Sequence, residues 1–265
     1  NPRLSHSIKN LIEEAARNEA VFLLEHFLNN FTFQSGDDFT NICIKIKNYI
    51  HKHHSGVERE TQITPFAKGT EPDGSQNVIM GLRSAFAFSK VGYKFNTTFN
   101  NYERHLPGNS KNKRILRNIV LVDDFWGRGE TAVNRIKDVF ANSKMRKSPV
   151  SITACVLVAV EGVSKKIADE TGITPFVGLE IKKGIDGFFS DEEHRFVSET
   201  YLSWESELFA RESKFAPFGY GRAQALFASS ENRNTPNSVF PVFWYPEDRN
   251  QNERITLLHR IPDEN

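Results

Sequence analysis

The chain has 265 residues, 38% of them hydrophobic and 25% charged, which suits one large α/β domain or a main domain with a small appendage. Lys and Arg total 34 against 33 Asp and Glu, a formal net charge of +1, so general attraction to nucleic acid is not indicated, although Lys111–Arg117 is a local basic patch. No stretch approaches the roughly 18 apolar residues of a membrane helix, and the two cysteines, Cys43 and Cys155, sit in apolar runs that suggest buried thiols in a reducing, cytoplasmic compartment.

The chain opens on Asn1 with no signal-peptide pattern, and residues are expected upstream of it. Residues 7–33 carry Ile8, Leu11, Ile12, Ala15, Phe22, Leu23 and Phe27 at helical spacing. A second helix is predicted from the N-cap residues Asp37 and Asp38 to His54, with Phe39, Ile42, Ile46, Tyr49 and Ile50 on its apolar face. Together they form an N-terminal helical addition over residues 1–60. His51, His53 and His54 read as a solvated helix end rather than a metal site, because no cysteine or carboxylate stands at ligand spacing.

From residue 62 the pattern changes. Ile63–Phe66 is a strand candidate, Lys68–Ser75 a polar Gly-rich loop, and Asn77–Phe88 a helix. Residues 95–113 are Asn-rich and are expected to form an exposed, mobile loop. Asn118–Asp123 is an apolar run ending in acid, the mark of a buried strand. A helix over Glu130–Phe140, a strand over Ser151–Val160, a helix over Gly162–Glu170, a strand over Pro175–Ile181 and a helix over Asp191–Leu208 follow. This alternation predicts an α/β fold with a central parallel sheet across residues 61–265. Short strand candidates at Ala223–Ala228 and Val239–Trp244 fall in a small C-terminal hood of about residues 215–265.

The segment Ile119–Thr131 carries the chemistry. Ligands of open α/β sheets bind beyond the carboxyl ends of the strands, and Asp123 and Asp124 fall at that edge. Two carboxylates accept the two donors of a ribose 2′,3′-diol. The turn Gly127-Arg128-Gly129-Glu130-Thr131 leads into a helix, where converging backbone N–H groups and the helix terminus favour a phosphate. A P-loop reading fails because the chain contains no Gly-Lys dipeptide. A dinucleotide fingerprint fits the letters Gly127–Ala132 but not the four residues between strand and glycines. An acidic strand end before a Gly-rich helix start, with no ligand at all, is the bland alternative.

Asp123-Asp124-x-x-x-x-Gly129-x-Thr131 after an apolar strand resembles the signature of type I phosphoribosyltransferases. The resemblance implies that Asp123 and Asp124 contact the ribose hydroxyls of phosphoribosyl pyrophosphate (PRPP). It implies that Gly127–Thr131 binds the 5-phosphate, and that Mg²⁺ is carried by the ligand with no direct protein site. The family's early pyrophosphate loop corresponds to Pro65–Ser75, with Lys68 neutralising pyrophosphate beside Gly69, Asp73, Gly74 and Ser75. Two letters depart from the family: Arg128 stands where Thr or Ser is usual, and Gly127 where a small residue or an acid is common. Phe218-Gly219-Tyr220, the turn Asn234–Asn237 and Pro241–Trp244 resemble the C-terminal part of divergent members found in bacterial conflict systems, including effectors of retron anti-phage operons. That likeness implies a base site using Asn234, Asn237 and Trp244, and protein partners such as a reverse transcriptase or other operon products. The activity implied is phosphoribosyl transfer or nucleotide cleavage; a catalytically degenerate nucleotide-sensing module in a protein complex is the alternative.

Overall fold

A computed structural model describes residues 2–68, 74–87, 89, 92–106, 116–145, 149–208, 217–230 and 234–260. In chain order these form helices α1 (Pro2–Arg17) and α2 (Val21–Asn29), strand β1 (Thr32–Gln34), helix α3 (Gly36–His54), strand β2 (Thr61–Pro65), helix α4 (Gly74–Phe86), strands β3 (Lys94–Phe95) and β4 (Asn118–Trp126), helix α5 (Glu130–Met145), strand β5 (Ser151–Val160), helix α6 (Val163–Thr171), strand β6 (Phe176–Ile181), helix α7 (Asp191–Glu205) and strand β7 (Phe227–Ser229). They divide into two compact units, Gly36–Glu180 and a second made of Asn1–Ser35 with Ile181–Asn265. This division does not coincide with the expected boundary near residue 60. The apolar stripe of α3, Ile42, Cys43, Ile46 and Ile50, is buried, and α3 packs with α4 and β5 inside the Gly36–Glu180 unit.

The Gly36–Glu180 unit is built on a sheet of order β3-β2-β4-β5-β6. β2 pairs in parallel with β3 and β4, and β4 with β5. The uniformly apolar letters of β4 and β5 suit strands covered on both faces: Ile119–Val122 and Ala154–Val160 are all buried. The expected exposed loop over 95–113 is in its described part a packed segment. Phe99, Tyr102 and Leu106 are buried, and Asn96 donates to Gln62 and Thr64 at 2.8 Å each. Asn96 serves buried hydrogen bonds, which composition alone does not distinguish from a loop. His54 is also buried, with its Nε2 3.0 Å from Thr153 Oγ1, so only His51 and His53 belong to a solvated helix end.

In the other unit the expected helix over 7–33 is two helices broken at Asn18–Ala20, followed by β1, which pairs in parallel with β7. Its core is aromatic: Phe27 stacks on Phe240 at 4.5 Å, and Tyr201 meets Phe240 at 4.8 Å and Phe218 at 5.0 Å. The expected strand at Val239–Trp244 is a single bridge from Val239 to Ala225 and one 3-10 turn at Pro241–Phe243, because Pro241 starts a turn where a ladder donor is needed.

Within this core Glu205 accepts the Tyr201 hydroxyl at 2.9 Å and the Phe218 N–H at 3.2 Å. Burial raises its carboxyl from an ordinary 4.5 to about 7, and those hydrogen bonds only partly offset the rise. The folded state therefore keeps a proton that the unfolded chain releases. Its stabilising contribution is complete below pH 4.5 and is lost as pH rises through about 7; the whole span corresponds to about 3 kcal/mol. Glu205→Gln should flatten the pH dependence of the thermal midpoint between about pH 5 and 8. Parallel wild-type and variant curves would show that the buried carboxyl does not set the slope.

Candidate functional site

The order β3-β2-β4-β5-β6 makes β2 the strand from which the chain first winds one way to β3 and then the other way to β4. The switch point of such a sheet, where ligands bind, lies outside the carboxyl ends of β2 and β4. β2 stops at Pro65, opposite Val122, with the Phe66 N–H donating to the Val122 carbonyl at 3.2 Å. β4 continues alone on that side, held on the other by β5 through Phe125 opposite Val158 and Trp126 opposite Ala159. The strand therefore ends at Trp126, not at Asp123 as its letters suggest, because pairing to β5 persists after β2 has turned away.

Asp123 and Asp124 occupy this one-sided stretch. Asp123 is 8% exposed; its Oδ2 accepts the Trp126 indole N–H at 2.7 Å, and its Oδ1 accepts the Asp124 N–H at 3.1 Å. Trp126 is itself buried edge-on against Phe66 at 5.7 Å, so the indole fixes the carboxylate's orientation. Asp124 lies against the first residue of α4. A Cβ built on Gly74 would stand 1.9 Å from Asp124 Oδ2, so only glycine allows this approach. A carboxylate at a helix N-terminus meets the positive end of the helix dipole. Ser75, the next residue, is fully buried and its hydroxyl accepts the Ala67 N–H at 3.1 Å, which ties the two ends of the loop together. Gly69 and Asp73 lie outside the described residues.

After β4 the chain turns through Gly127 and the exposed Arg128 into α5. Gly129 has φ +72°, and a Cβ there would stand 2.8 Å from Val163 Cγ1 on α6. Glycine thus serves both a left-handed turn and a close helix contact. Its carbonyl accepts the Val133 N–H at 2.9 Å, and Glu130 and Thr131 form the first turn of α5, with Thr131 exposed. Arg128 Nη2 lies 2.8 Å from Glu130 Oε1, and Lys166 of α6 reaches the same oxygen at 3.7 Å and the Arg128 carbonyl at 3.2 Å. Lys166 is a neighbour of the turn that the sequence does not signal.

Lys68 is placed elsewhere on this edge. It donates to Asp138 of α5 at 3.2 Å and lies over the Phe99 ring at 6.0 Å, where Arg135 also stacks at 5.2 Å. The residues expected to read a base belong to the other unit. Trp244 is 4% exposed, donates to the Val239 carbonyl at 2.9 Å and is covered by Arg260 at 5.3 Å, so it is a core residue rather than an open stacking platform. Asn237 uses its carbonyl to accept the Tyr220 N–H at 2.8 Å, and Asn234 is half-buried. Among the described residues no cluster of three His, Cys, Asp or Glu is placed to hold a metal, and no helix is long and apolar enough to cross a membrane. Both cysteines are buried and unpaired, and burial raises both thiols, Cys43 to about 12.

A doubly acidic strand at a sheet's switch point, followed by a glycine turn into a helix, is the arrangement on which the resemblance to phosphoribosyltransferases rests. The family model PRTase-CE matches residues 12–260, and the chain belongs to that family. The fold is the expected α/β one, built on a central parallel sheet. Similar solved structures include orotate phosphoribosyltransferase from Aeropyrum pernix, at 14% identity and TM-score 0.32, over 53% of this chain and 70% of that one. Hypoxanthine phosphoribosyltransferase from Trypanosoma cruzi, in complex with the product IMP, aligns at 13% identity and TM-score 0.36, over 62% and 84%. A hypothetical protein from Neisseria gonorrhoeae with bound ppGpp aligns at 13% identity and TM-score 0.34, over 64% and 97%. A search among curated proteins finds no match.

The close approach at Gly129 is directly testable. Gly129→Ala adds a methyl group at a positive φ and against Val163, and should lower the unfolding free energy by about 1–3 kcal/mol in urea titration. Adding Val163→Ala should recover part of that loss. A Gly129→Ala protein as stable as wild type would contradict the packing described.

Proposed function

We propose that the chain binds PRPP, or a related ribose 5-phosphate nucleotide, where β4 outruns β2, and transfers the phosphoribosyl group to a nitrogenous acceptor or runs the reverse cleavage of a nucleotide. The observation that carries this reading is the pair Asp123 and Asp124 at the switch point, one turn ahead of the N-terminus of α5. Asp123, aimed by Trp126, and Asp124, aimed by Gly74, accept hydrogen bonds from the two ribose hydroxyls. The N–H groups of Gly127–Thr131 take the 5-phosphate at the positive end of the helix dipole.

The C1–oxygen bond breaks as the bond to the acceptor nitrogen forms, and that nitrogen's proton is released with pyrophosphate. Carbon 1 passes through an oxocarbenium-like state, so the protein's tasks are positioning and stabilising the departing anion. Lys68, in the loop that follows β2, serves the pyrophosphate once it leaves Asp138. Two carboxylates are hard oxygen donors suited to Mg²⁺, which would be carried mainly by the ligand's pyrophosphate and hydroxyls and would neutralise the leaving group.

A second reading, a nucleotide-sensing module without turnover, is favoured by the engagement of Lys68 with Asp138 and of Arg128 with Glu130. Under either reading, the resemblance of the C-terminal segment supports an effector of bacterial anti-phage defence. It would work in the cytoplasm with other operon proteins, a reverse transcriptase among them.

Calorimetric titration with PRPP and Mg²⁺ tests the proposal. Wild type should bind, Asp123→Asn with Asp124→Asn should lose both binding and turnover, and Gly74→Ala should weaken binding at least about tenfold by displacing Asp124. Unchanged binding in the double variant would overturn the assignment. Binding without consumption across a panel of nitrogenous bases would favour the sensing module.

A further inference from the structure

We propose that Glu130 is a built-in competitor for the ligand's phosphate, held over the turn by Arg128 and Lys166 until a phosphomonoester displaces it. This rests on the phosphate-site reading of Gly127–Thr131 and adds to it a resident anion and a third-element cation. Both cations converge on a single oxygen, Glu130 Oε1, at 2.8 Å from Arg128 and 3.7 Å from Lys166.

The position of Lys166 is fixed by packing. Gly129 lets the turn rest on Val163 and Ile167, and Val163, Lys166 and Ile167 share one face of α6 at helical spacing. The ammonium then donates to the Arg128 carbonyl at 3.2 Å, which pins it to the turn itself. Two positive groups thus meet one carboxylate oxygen carried by the first turn of α5.

A phosphomonoester carries about −1.5 to −2 charges and three acceptor oxygens, against one charge on Glu130. It makes stronger charge-assisted hydrogen bonds to the same donors. The Glu130 side chain is 41% exposed and attached at the rim, so it can rotate into solvent. While it stays, it screens the cations and lowers phosphate affinity. Arg128, the letter that departs from the family signature, is then one arm of a regulated anion site.

The test is calorimetric titration of the whole chain with ribose 5-phosphate, and with ribose as the phosphate-free control. Glu130→Gln should bind ribose 5-phosphate about three- to tenfold more tightly than wild type, and Lys166→Met about tenfold more weakly. Lys166→Arg should retain affinity within about threefold, which a purely structural role for the lysine stem would not require. Ribose affinity should not change in any variant, and melting curves confirm folding. Equal or weaker binding by Glu130→Gln, or unchanged binding by Lys166→Met, overturns the inference. If PRPP binding still depends on Asp123 and Asp124 in that case, the proposed function survives alone. If no variant binds PRPP or ribose 5-phosphate, both fall.

Discussion

The site depends on a mismatch in strand length. β2 and β4 pair in parallel up to Pro65 and Val122, and only β4 goes on. Pro65 lacks an N–H. Backbone N–H groups alternate sides along a strand, and Phe66 donates toward β4, so the missing donor at Pro65 faces the β3 side, where the chain is held instead by Asn96 N–H to the Ile63 carbonyl and Phe99 N–H to the Ala67 carbonyl. The one-sided stretch of β4 that carries Asp123 and Asp124 follows from the stop of β2 at Pro65. The carboxylates remain ordered because β5 continues to hold β4 at Phe125 and Trp126. Without the β5 pairing the acidic residues would lie in a free loop, and their positioning would be lost.

Two glycines then bring helices to this edge. Gly74 admits Asp124 to the start of α4, and Gly129 brings the turn before α5 against α6. Each position trades a side chain for a contact that no other residue permits. Charge follows the same geometry. Asp124 meets a helix N-terminus, Glu130 meets two cations, and Lys68 is balanced by Asp138. Each of these charged groups thus has a partner within the chain.

Much of this was legible in the letters. The apolar runs of β4 and β5 and the helical stripe of α3 carry strong periodic signals, and the acids and glycines of 123–131 mark the end of a strand and the turn into a helix. What escaped the sequence depends on distant partners. The strand's extension to Trp126 is set by β5, and the packed segment at Phe99–His105 hides behind a polar composition. The Asp123–Trp126 bond is local, yet only the strand conformation brings the indole N–H onto the carboxylate. Lys166 bonds to a carbonyl 38 residues away, which no spacing rule marks. Trp244 reads as a stacking residue by its type, but its indole N–H is spent on a core carbonyl.

The central claim is that a phosphorylated ribose sits on Asp123–Thr131. Hydrogen–deuterium exchange of the intact chain, with and without saturating PRPP and Mg²⁺, tests it most directly. The account predicts slowed exchange in peptides covering 123–133 and the start of α4, with the buried strand β5 unchanged. Protection confined to other segments, or none at saturation, would contradict it.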